Sequence, residues 1–215
     1  SICKIDTGGF AKIPIILNYN HLHYQIGLTM LHRTGPIRAK QLMNSVNSLE
    51  ELFLLTENQL ALKTGLNIKQ IKSLKRKEAL LKSQEPHDYF VKNKIDCTFY
   101  TDDNYPERLK NCIDSPLIFY SKGAIELNTK KVVSIVGTRD CTAYGDKIVK
   151  SLIQSFQGQN ITVISGLALG IDTLVHRYCL EYGVSTIGVL GHGIDRIYPA
   201  RNKALAERME ALGGV

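Results

Sequence analysis

Residues 161–172 read ITVISGLALGID, and this stretch decides the fold class of the chain. Its first half, residues 161–166, is apolar and rich in β-branched side chains, which is typical of a buried strand that ends in glycine. Glycine at 166 and at 170 allows a tight turn, and helical periodicity runs from residue 169 to residue 182. The stretch therefore predicts a strand, a glycine-rich turn and a helix in succession.

The same unit occurs on both sides of this stretch. Residues 132–137 (VVSIVG) and 185–191 (STIGVLG) are apolar strands that end in glycine, and helical patterns follow at residues 144–157 and 202–212. Three such units, each of about 25 to 30 residues, predict a Rossmann-like, doubly wound parallel α/β sheet. Because the sequence stops soon after the third unit, we expect the sheet to be incomplete at its C-terminal side, with an open edge.

The sequence divides into three parts. Residues 1–19 are an N-terminal lead, and residues 20–84 carry apolar side chains at helical spacing, which predicts a small all-α domain. Residues 85–215 form the Rossmann-like domain. Its first part, residues 85–130, contains three prolines and two short strand-like runs, and we interpret it as a lead-in rather than a flexible linker.

Two features of the all-α domain suit an anionic partner. Glycine turns at Gly35-Pro36 and Thr64-Gly65 precede helices, as in SAM or helix-hairpin-helix domains, where helix N-termini meet phosphates. The run from Leu60 to Lys82 carries seven cations opposed within it only by Glu78. A plain bundle for packing or dimerisation, with a solvated basic face, is an equally good interpretation.

Composition limits the class of protein. The 215 residues are 44% hydrophobic and 22% charged, with a formal net charge of +7, so we expect a globular chain that tolerates an anionic partner. The sequence has no apolar run long enough for a membrane span and no signal-peptide pattern, which predicts a cytoplasmic protein. Its five cysteines are widely spaced, and His21, His23 and His32 lack companions at ligand spacing, so we expect free thiols and no metal.

Residues able to bind an anion follow the first two predicted strands, where a doubly wound sheet places its ligand crevice. In Gly137-Thr138-Arg139 the glycine allows close backbone approach, and the hydroxyl and guanidinium are phosphate donors. The glycines of residues 165–172 bring a helix N-terminus towards an anion. Their spacing is neither the dinucleotide G-x-G-x-x-G nor a P-loop, so the sequence indicates neither NAD nor ATP and we expect no cofactor.

Three further residues have structural as well as functional interpretations, and we expect them to support the site. Asp172 caps or orients the helix after the second strand, and His176 buttresses the same turn one helical turn later. Tyr198 precedes two cations and an amide, and it either stacks on a base or packs in the core. The sequence shows no nucleophile elbow, no paired glutamates in the crevice and no metal cluster, which favours binding over catalysis.

Several motifs together resemble one family. Gly137-Thr138-Arg139 with Tyr144-Gly145, SGLALGIDTLVH at residues 165–176 and TIGVLGHGIDRIYPARNKAL at residues 186–205 resemble the DNA-processing protein A (DprA, also Smf) family in order and spacing. The segments YPERL and SPLIFYSKG, before residue 124, are similar to the stretch that precedes its Rossmann-like domain. The resemblance covers roughly residues 96–215 strongly and the helical domain loosely.

The resemblance implies a bacterial cytosolic protein, without enzymatic activity, that binds and protects incoming single-stranded DNA in natural transformation. It further implies a homodimer at full length and a role in loading the RecA recombinase. Carried onto this chain, the phosphate-contacting positions are Gly137, Thr138, Arg139, Ser165, Gly166, Gly170, Arg201, Asn202 and Lys203.

Two other functions compete with this interpretation. The lysine-decarboxylase-like (LOG) nucleotide phosphoribohydrolases have a similar crevice, but their P-G-G-x-G-T-x-x-E stretch does not occur within these 215 residues. An interaction module that contacts RecA or another partner through the helical domain is the second alternative. Single-strand affinity that persists after Arg139→Ala would favour that module or the basic helix.

Overall fold

The computed structural model describes residues 19–215. Two sheets and a series of helices follow one another along this part of the chain. In chain order the elements are α1 (His21–Thr29), α2 (Pro36–Asn44), α3 (Leu49–Leu54), α4 (Glu57–Thr64), α5 (Ile68–Ser73), α6 (Arg76–Lys82), α7 (Gln84–Asn93), β1 (Asp96–Phe99), α8 (Glu107–Lys110), β2 (Ile118–Ser121), β3 (Lys131–Ser134), α9 (Ala143–Ser155), β4 (Ile161–Ser165), α10 (Ile171–Tyr182), β5 (Ser185–Gly188), a 3-10 turn (Ala200–Asn202), α11 (Lys203–Met209) and β6 (Gly213–Gly214).

The helices from α1 to α7 share one hydrophobic core with the antiparallel pair β1–β2. Ile26 and Leu28 of α1 are fully buried in it, and Phe99 of β1 and Ile118 of β2 belong to the same cluster. The predicted domain boundary at residue 84 lies within this core, because α7 and the β1–β2 pair, which follow the boundary, belong to the same hydrophobic cluster. The lead-in therefore packs with the helical unit.

The glycine turn at Thr64-Gly65 ends helix α4 and precedes helix α5. Gly65 is the left-handed C-cap of α4, with φ of 70°, a conformation that favours glycine. Asn67 then caps α5, and its side chain and that of Gln70 satisfy each other's backbone N–H groups. The backbone amides of Gly65, Asn67 and Gln70 are thus already bonded within the chain.

The basic run of the helical unit is opposed by more acidic side chains than the sequence suggests. Within the run Glu78 is the only acidic residue, as the sequence shows, but α3 and α4 present two further glutamates to its lysines. Among residues 60–82, Lys69 and Lys77 make no salt bridge within the described part of the chain. The salt bridges are Lys63–Glu51 (2.6 Å), Lys72–Glu57 (3.6 Å), Lys75–Glu78 (3.2 Å) and Lys82–Glu78 (2.7 Å).

The second sheet is parallel and has the strand order β3-β4-β5-β6. The α/β prediction is confirmed, with three strand–helix units in the expected places. Helices α9 and α10 pack together against the sheet through a core that includes Val149, Val163 and Val175. A separate cluster around Leu205 and Met209 of α11 covers the β5–β6 end of the sheet.

The two edges of this sheet differ. At the β6 edge, Lys122 and Val215 exchange backbone hydrogen bonds of 2.8 and 3.0 Å, and Gly123 bridges to Gly214 in antiparallel sense. At the other edge, β3 has no strand partner among residues 19–215 on its outer side. Among the described residues β3 thus forms one edge of the sheet, and the lead-in pairs with the other edge at Gly214 and Val215.

Candidate functional site

An open cavity of about 550 Å³ lies at the carboxyl ends of β3 and β4, between the first turns of α9 and α10. Parallel strands expose their carboxyl ends on one side of a sheet, and the helices that follow begin there, so two positive helix ends face this space. The 3-10 turn before α11 forms a third wall. The lining residues are Cys141, Thr142, Ala143, Asp146, Gly170, Thr173, Leu174, Arg201 and Asn202.

The turn that carries Arg139 is packed against the N-terminus of α10. Ile171 N–H donates to the carbonyl of Thr138 at 3.1 Å. A Cβ at Gly137 would lie 2.5 Å from the Ile171 side chain, and one at Gly170, where φ is 76°, would collide with the carbonyl oxygens of Thr138 and Arg139. Both glycines are thus required by the contact between the two turns, and this contact holds the backbone of Arg139 against Gly170, which lines the cavity, although Arg139 itself is not a lining residue.

Arg139 itself is exposed and makes no salt bridge within residues 19–215. Thr138 is also exposed, and its hydroxyl accepts from Asp140 N–H at 3.2 Å. A free guanidinium is the side chain best suited to fork onto phosphate oxygens. This turn therefore keeps its main predicted donor available to a ligand.

The turn after β4 is held from inside by Asp172. Its carboxylate is almost fully buried and accepts from the N–H groups of Gly166 (3.1 Å) and Ala168 (3.4 Å). Ser165 is 2% exposed, and its Oγ has no hydrogen-bond partner. Among the predicted phosphate contacts on this turn, the Ser165 hydroxyl and the Gly166 amide thus face the interior, and Gly170 alone lines the cavity.

Asn202 is buried, unlike the two cations that flank it. Its Nδ2 donates to the carbonyls of Leu167 (2.8 Å) and Ala168 (3.3 Å) and to Thr173 Oγ1 (2.9 Å). The amide therefore joins the start of α11 to the turn after β4. Arg201 lines the cavity and Lys203 is exposed, so these two keep their charges towards solvent.

His176 lies in the interior beneath the same turn and is fully buried. Its Nδ1 lies 2.8 Å from the hydroxyl of Thr186, and that hydroxyl donates to the carbonyl of Val163. Because the hydroxyl proton is used in this way, Nδ1 carries the proton of the imidazole and donates to Thr186. The other ring nitrogen, Nε2, has no hydrogen-bond partner. Burial lowers the pKa of His176 to about 4. The imidazole is neutral near pH 7 and does not reach the cavity.

Tyr198 projects into solvent, with 72% of its surface exposed. Its backbone N–H donates to His192 Nε2 at 3.3 Å, which ties the two ends of the loop after β5 together. Ile194 of this loop packs against the core of the helical unit. Of the two interpretations of Tyr198, core packing does not fit this exposure, whereas a free ring is suited to stacking.

Sequence reasoning misses the α9 wall of the cavity. Thr142 caps α9 by accepting from Gly145 N–H at 3.2 Å, and the half-buried Asp146 accepts a 2.7 Å hydrogen bond from Tyr178. Tyr178 follows Asp146 by 32 residues, so no local pattern links them. The usable signal was the position of Thr142 after the first strand, where a helix cap reaches the carboxyl end of a parallel sheet.

Two kinds of site do not occur in the described part of the chain. No helix between residues 19 and 215 is long and apolar enough to cross a membrane. The same residues contain no group of three or more His, Cys, Asp or Glu side chains placed to hold a metal ion.

Comparison with known proteins relates both halves of the chain to one set of proteins. "DNA processing protein DprA" of Streptococcus pneumoniae is 40% identical over 106 residues, covering 49% of this chain and 37% of that protein. "Protein Smf" of a Synechocystis species is 30% identical over 197 residues, covering 88% of this chain and 49% of that protein. The chain thus spans about a third to a half of the length of these relatives.

Similarity to a solved structure extends through the helical unit. The crystal structure of DprA from Streptococcus pneumoniae matches with a TM-score of 0.57 and 26% identity, covering 84% of this chain and 66% of that chain. The family model described as DNA recombination-mediator protein A matches residues 96–215, which is more than half of the sequence. The chain therefore belongs to the DNA recombination-mediator protein A family, known also as DprA or Smf.

Proposed function

We propose that this chain binds single-stranded DNA in the cavity between α9 and α10 and does not modify it. The observation that carries the proposal is the convergence of two helix N-termini and the free cation Arg201 on one open cavity. The backbone of Arg139 packs against Gly170 of its lining, and the Arg139 side chain is exposed nearby. Helix N-termini and guanidinium groups are the usual protein partners of phosphate. The family to which the chain belongs is consistent with a DNA ligand.

The exposed ring of Tyr198, three residues before Arg201, supports a single strand over a duplex. An unpaired base has a free face for an aromatic side chain, whereas bases in a duplex stack on one another. Phosphate contacts by Arg201 and Arg139, with a base on Tyr198, would use three exposed side chains of the predicted set. Asn202, Asp172 and the buried Ser165 would then hold the surface in shape.

The test is a fluorescence-anisotropy titration with a labelled single-stranded oligonucleotide and a duplex of equal length. Arg139→Ala and Arg201→Ala should each weaken single-strand binding by about tenfold, because each removes a charge-assisted phosphate contact. Lys77→Ala is the matched control, since it removes an exposed cation without a salt bridge that lies outside the cavity. Equal losses in all three variants, or a loss in Lys77→Ala alone, would contradict the proposed location.

We further propose that binding is not followed by chemistry. Of the groups near the cavity that could act as acid or base, Asp172 accepts two backbone hydrogen bonds, His176 is buried and neutral, and Asp146 accepts a hydrogen bond from Tyr178. The LOG-type alternative predicts release of the base from nucleoside monophosphates. Chromatography of such nucleotides and of single-stranded DNA after incubation with the chain should recover both unchanged, and a released base would favour the hydrolase.

The biological role that we propose is handling of incoming single-stranded DNA in the cytoplasm during natural transformation, with RecA as partner and a homodimer as the assembly. These finer statements rest on family membership. The match covers 37% of the Streptococcus pneumoniae relative, so that relative is the comparison protein for testing them. Pull-down of RecA by this chain and by the relative, with and without a single strand, tests the partnership directly.

A further inference from the structure

Among the polar side chains of the cavity wall, Arg201 and Asp146 have unused hydrogen-bonding capacity, whereas Thr142 and Thr173 are engaged. Thr142 caps α9, and Thr173 donates to the Ala168 carbonyl and accepts from Asn202. Arg201 makes no side-chain hydrogen bond within residues 19–215, and the same is true of Asp146 Oδ2. The cavity thus offers one free cation and one free carboxylate oxygen to a ligand.

The carboxylate is fixed rather than mobile. Tyr178 lies on α10, is 9% exposed, and donates a 2.7 Å hydrogen bond to Asp146 Oδ1. That hydrogen bond raises the pKa of Tyr178 to about 12, so the phenol keeps its proton and remains a donor. Lys150 lies over the Tyr178 ring, 5.6 Å from its centroid, and pairs with Glu181 rather than with Asp146. Asp146 is therefore held in place by Tyr178 and makes no salt bridge within residues 19–215.

A carboxylate at this place is unsuited to a phosphate and must meet a donor. In a DNA strand the phosphates and sugars offer only acceptors, and every hydrogen-bond donor within the strand belongs to a base. Guanine presents two donors side by side, N1–H and the 2-amino group, whereas thymine presents one N–H between two carbonyl oxygens. Because a duplex uses these groups in base pairing, only an unpaired base presents them.

We propose that Asp146, held by Tyr178, reads the Watson–Crick edge of one unpaired base in the cavity and prefers guanine. Arg201 then binds the phosphate of the same nucleotide. The inference rests on the proposed function, and it adds a base preference and a second physical reason for choosing single strands. Asp146 is a specificity-determining residue in this scheme, with Tyr178 as its positioning residue.

The test compares three labelled strands by fluorescence anisotropy: oligothymidylate, the same strand with one central guanosine, and the same strand with inosine at that position. Inosine retains N1–H and lacks the 2-amino group. The guanosine strand should bind roughly fivefold to tenfold more tightly than oligothymidylate, and the inosine strand should fall between them. Equal affinity of the intact chain for all three strands would overturn the inference while leaving the proposed function standing.

Two variants separate base reading from charge. Asp146→Asn and Asp140→Asn each remove one negative charge close to the Arg139 turn, and Asp140 is exposed outside the cavity lining. Both should bind oligothymidylate at least as tightly as the parent chain, but only Asp146→Asn should lose the preference for guanosine. A preference that survives in Asp146→Asn would overturn the inference.

Tyr178→Phe removes the hydrogen bond to Asp146 and keeps the buried ring. It should reduce the guanosine preference without abolishing binding, and thermal melting should show whether the fold is retained. Unchanged preference in a folded Tyr178→Phe chain would overturn the positioning role. If the intact chain binds none of the three strands, the proposed function fails and the inference fails with it.

Discussion

The side-chain amide of Asn202 donates a 2.8 Å hydrogen bond to the carbonyl of Leu167, 35 residues earlier in the chain. Leu167 is fully buried and has φ of 55°, a left-handed conformation that is uncommon for a leucine. Asn202 satisfies the carbonyl of that residue and of its neighbour Ala168. The start of α11 therefore stabilises the turn after β4.

Asn202→Ala should destabilise the chain by about 1 to 3 kcal/mol, because the Leu167 carbonyl loses its donor. Chemical denaturation measures this change. Asn202→Asp is the informative partner variant, since it keeps the shape and places a carboxylate against the Leu167 and Ala168 carbonyls; it should be at least as destabilising. A stable Asn202→Ala chain with weakened DNA binding would instead indicate direct contact with the ligand.

His176 should make stability depend on pH between about 4 and 6.5. Its folded pKa is lowered to about 4 from a usual value of 6.5, so the unfolded chain binds a proton that the folded chain rejects in this interval. The stability is fully present above pH 6.5 and is lost as the pH falls, by roughly 3 kcal/mol at most.

The free energy of unfolding against pH, measured for the parent and for His176→Gln, tests this prediction. Glutamine does not titrate, so its curve should be flatter between pH 4 and 6.5. Both curves should still fall at lower pH, where Glu51, whose pKa is lowered to about 2 chiefly by its hydrogen bond from Lys63, becomes protonated. Parallel curves above pH 4 would show that His176 is not the titrating group.

Tyr198 should contribute to binding and not to folding. Because its ring is 72% exposed, Tyr198→Ala should leave the melting temperature unchanged. The same variant should weaken single-strand binding by about tenfold if the ring stacks on a base. Tyr198→Phe keeps the aromatic face and should bind like the parent chain. A loss of stability in Tyr198→Ala would point back to a packing role.

Arg76 should matter to the helical unit although it lies in a run of solvated lysines. Its guanidinium donates to the carbonyls of Leu52 (2.7 Å) and Leu55 (3.0 Å) at the end of α3. Arg76→Met keeps the apolar stem and removes both hydrogen bonds, so we expect a loss of about 1 to 3 kcal/mol. Lys77→Met, next in sequence and exposed, should cost little in the same denaturation experiment.

Much of the α/β half could be predicted from the sequence because its signals are local. Apolar β-branched runs ending in glycine mark the strands, and glycine at 137 and 170 marks turns that must approach each other closely. The exposed cation Arg139 was also recognisable, because it follows a strand directly. Such features depend on neighbours within a few residues, which is what a sequence pattern records.

The remaining features depend on partners that are distant in the chain. In the sequence Asn202 lies beside two cations and resembles a phosphate ligand. In the structure its amide is buried and bonds to residues about 30 positions away, so that it supports the turn after β4. The lysine run looks uncompensated until α3 and α4 place Glu51 and Glu57 against it. The sequence did not mark Asp146 as a site residue, because its hydrogen-bond partner Tyr178 lies on another helix, 32 residues later in the chain.

The paired hydrogen bonds between Lys122 and Val215 impose an order on assembly of the sheet. Lys122 leaves the ribosome long before its partner, so the end of the lead-in carries unpaired amides and carbonyls until the chain has grown by 93 residues. Contacts between such distant positions form slowly, since a large loop must close first. We expect β6 to be among the last strands to dock. Variants that weaken the Lys122–Val215 pairing should therefore mainly speed unfolding and change the refolding rate little.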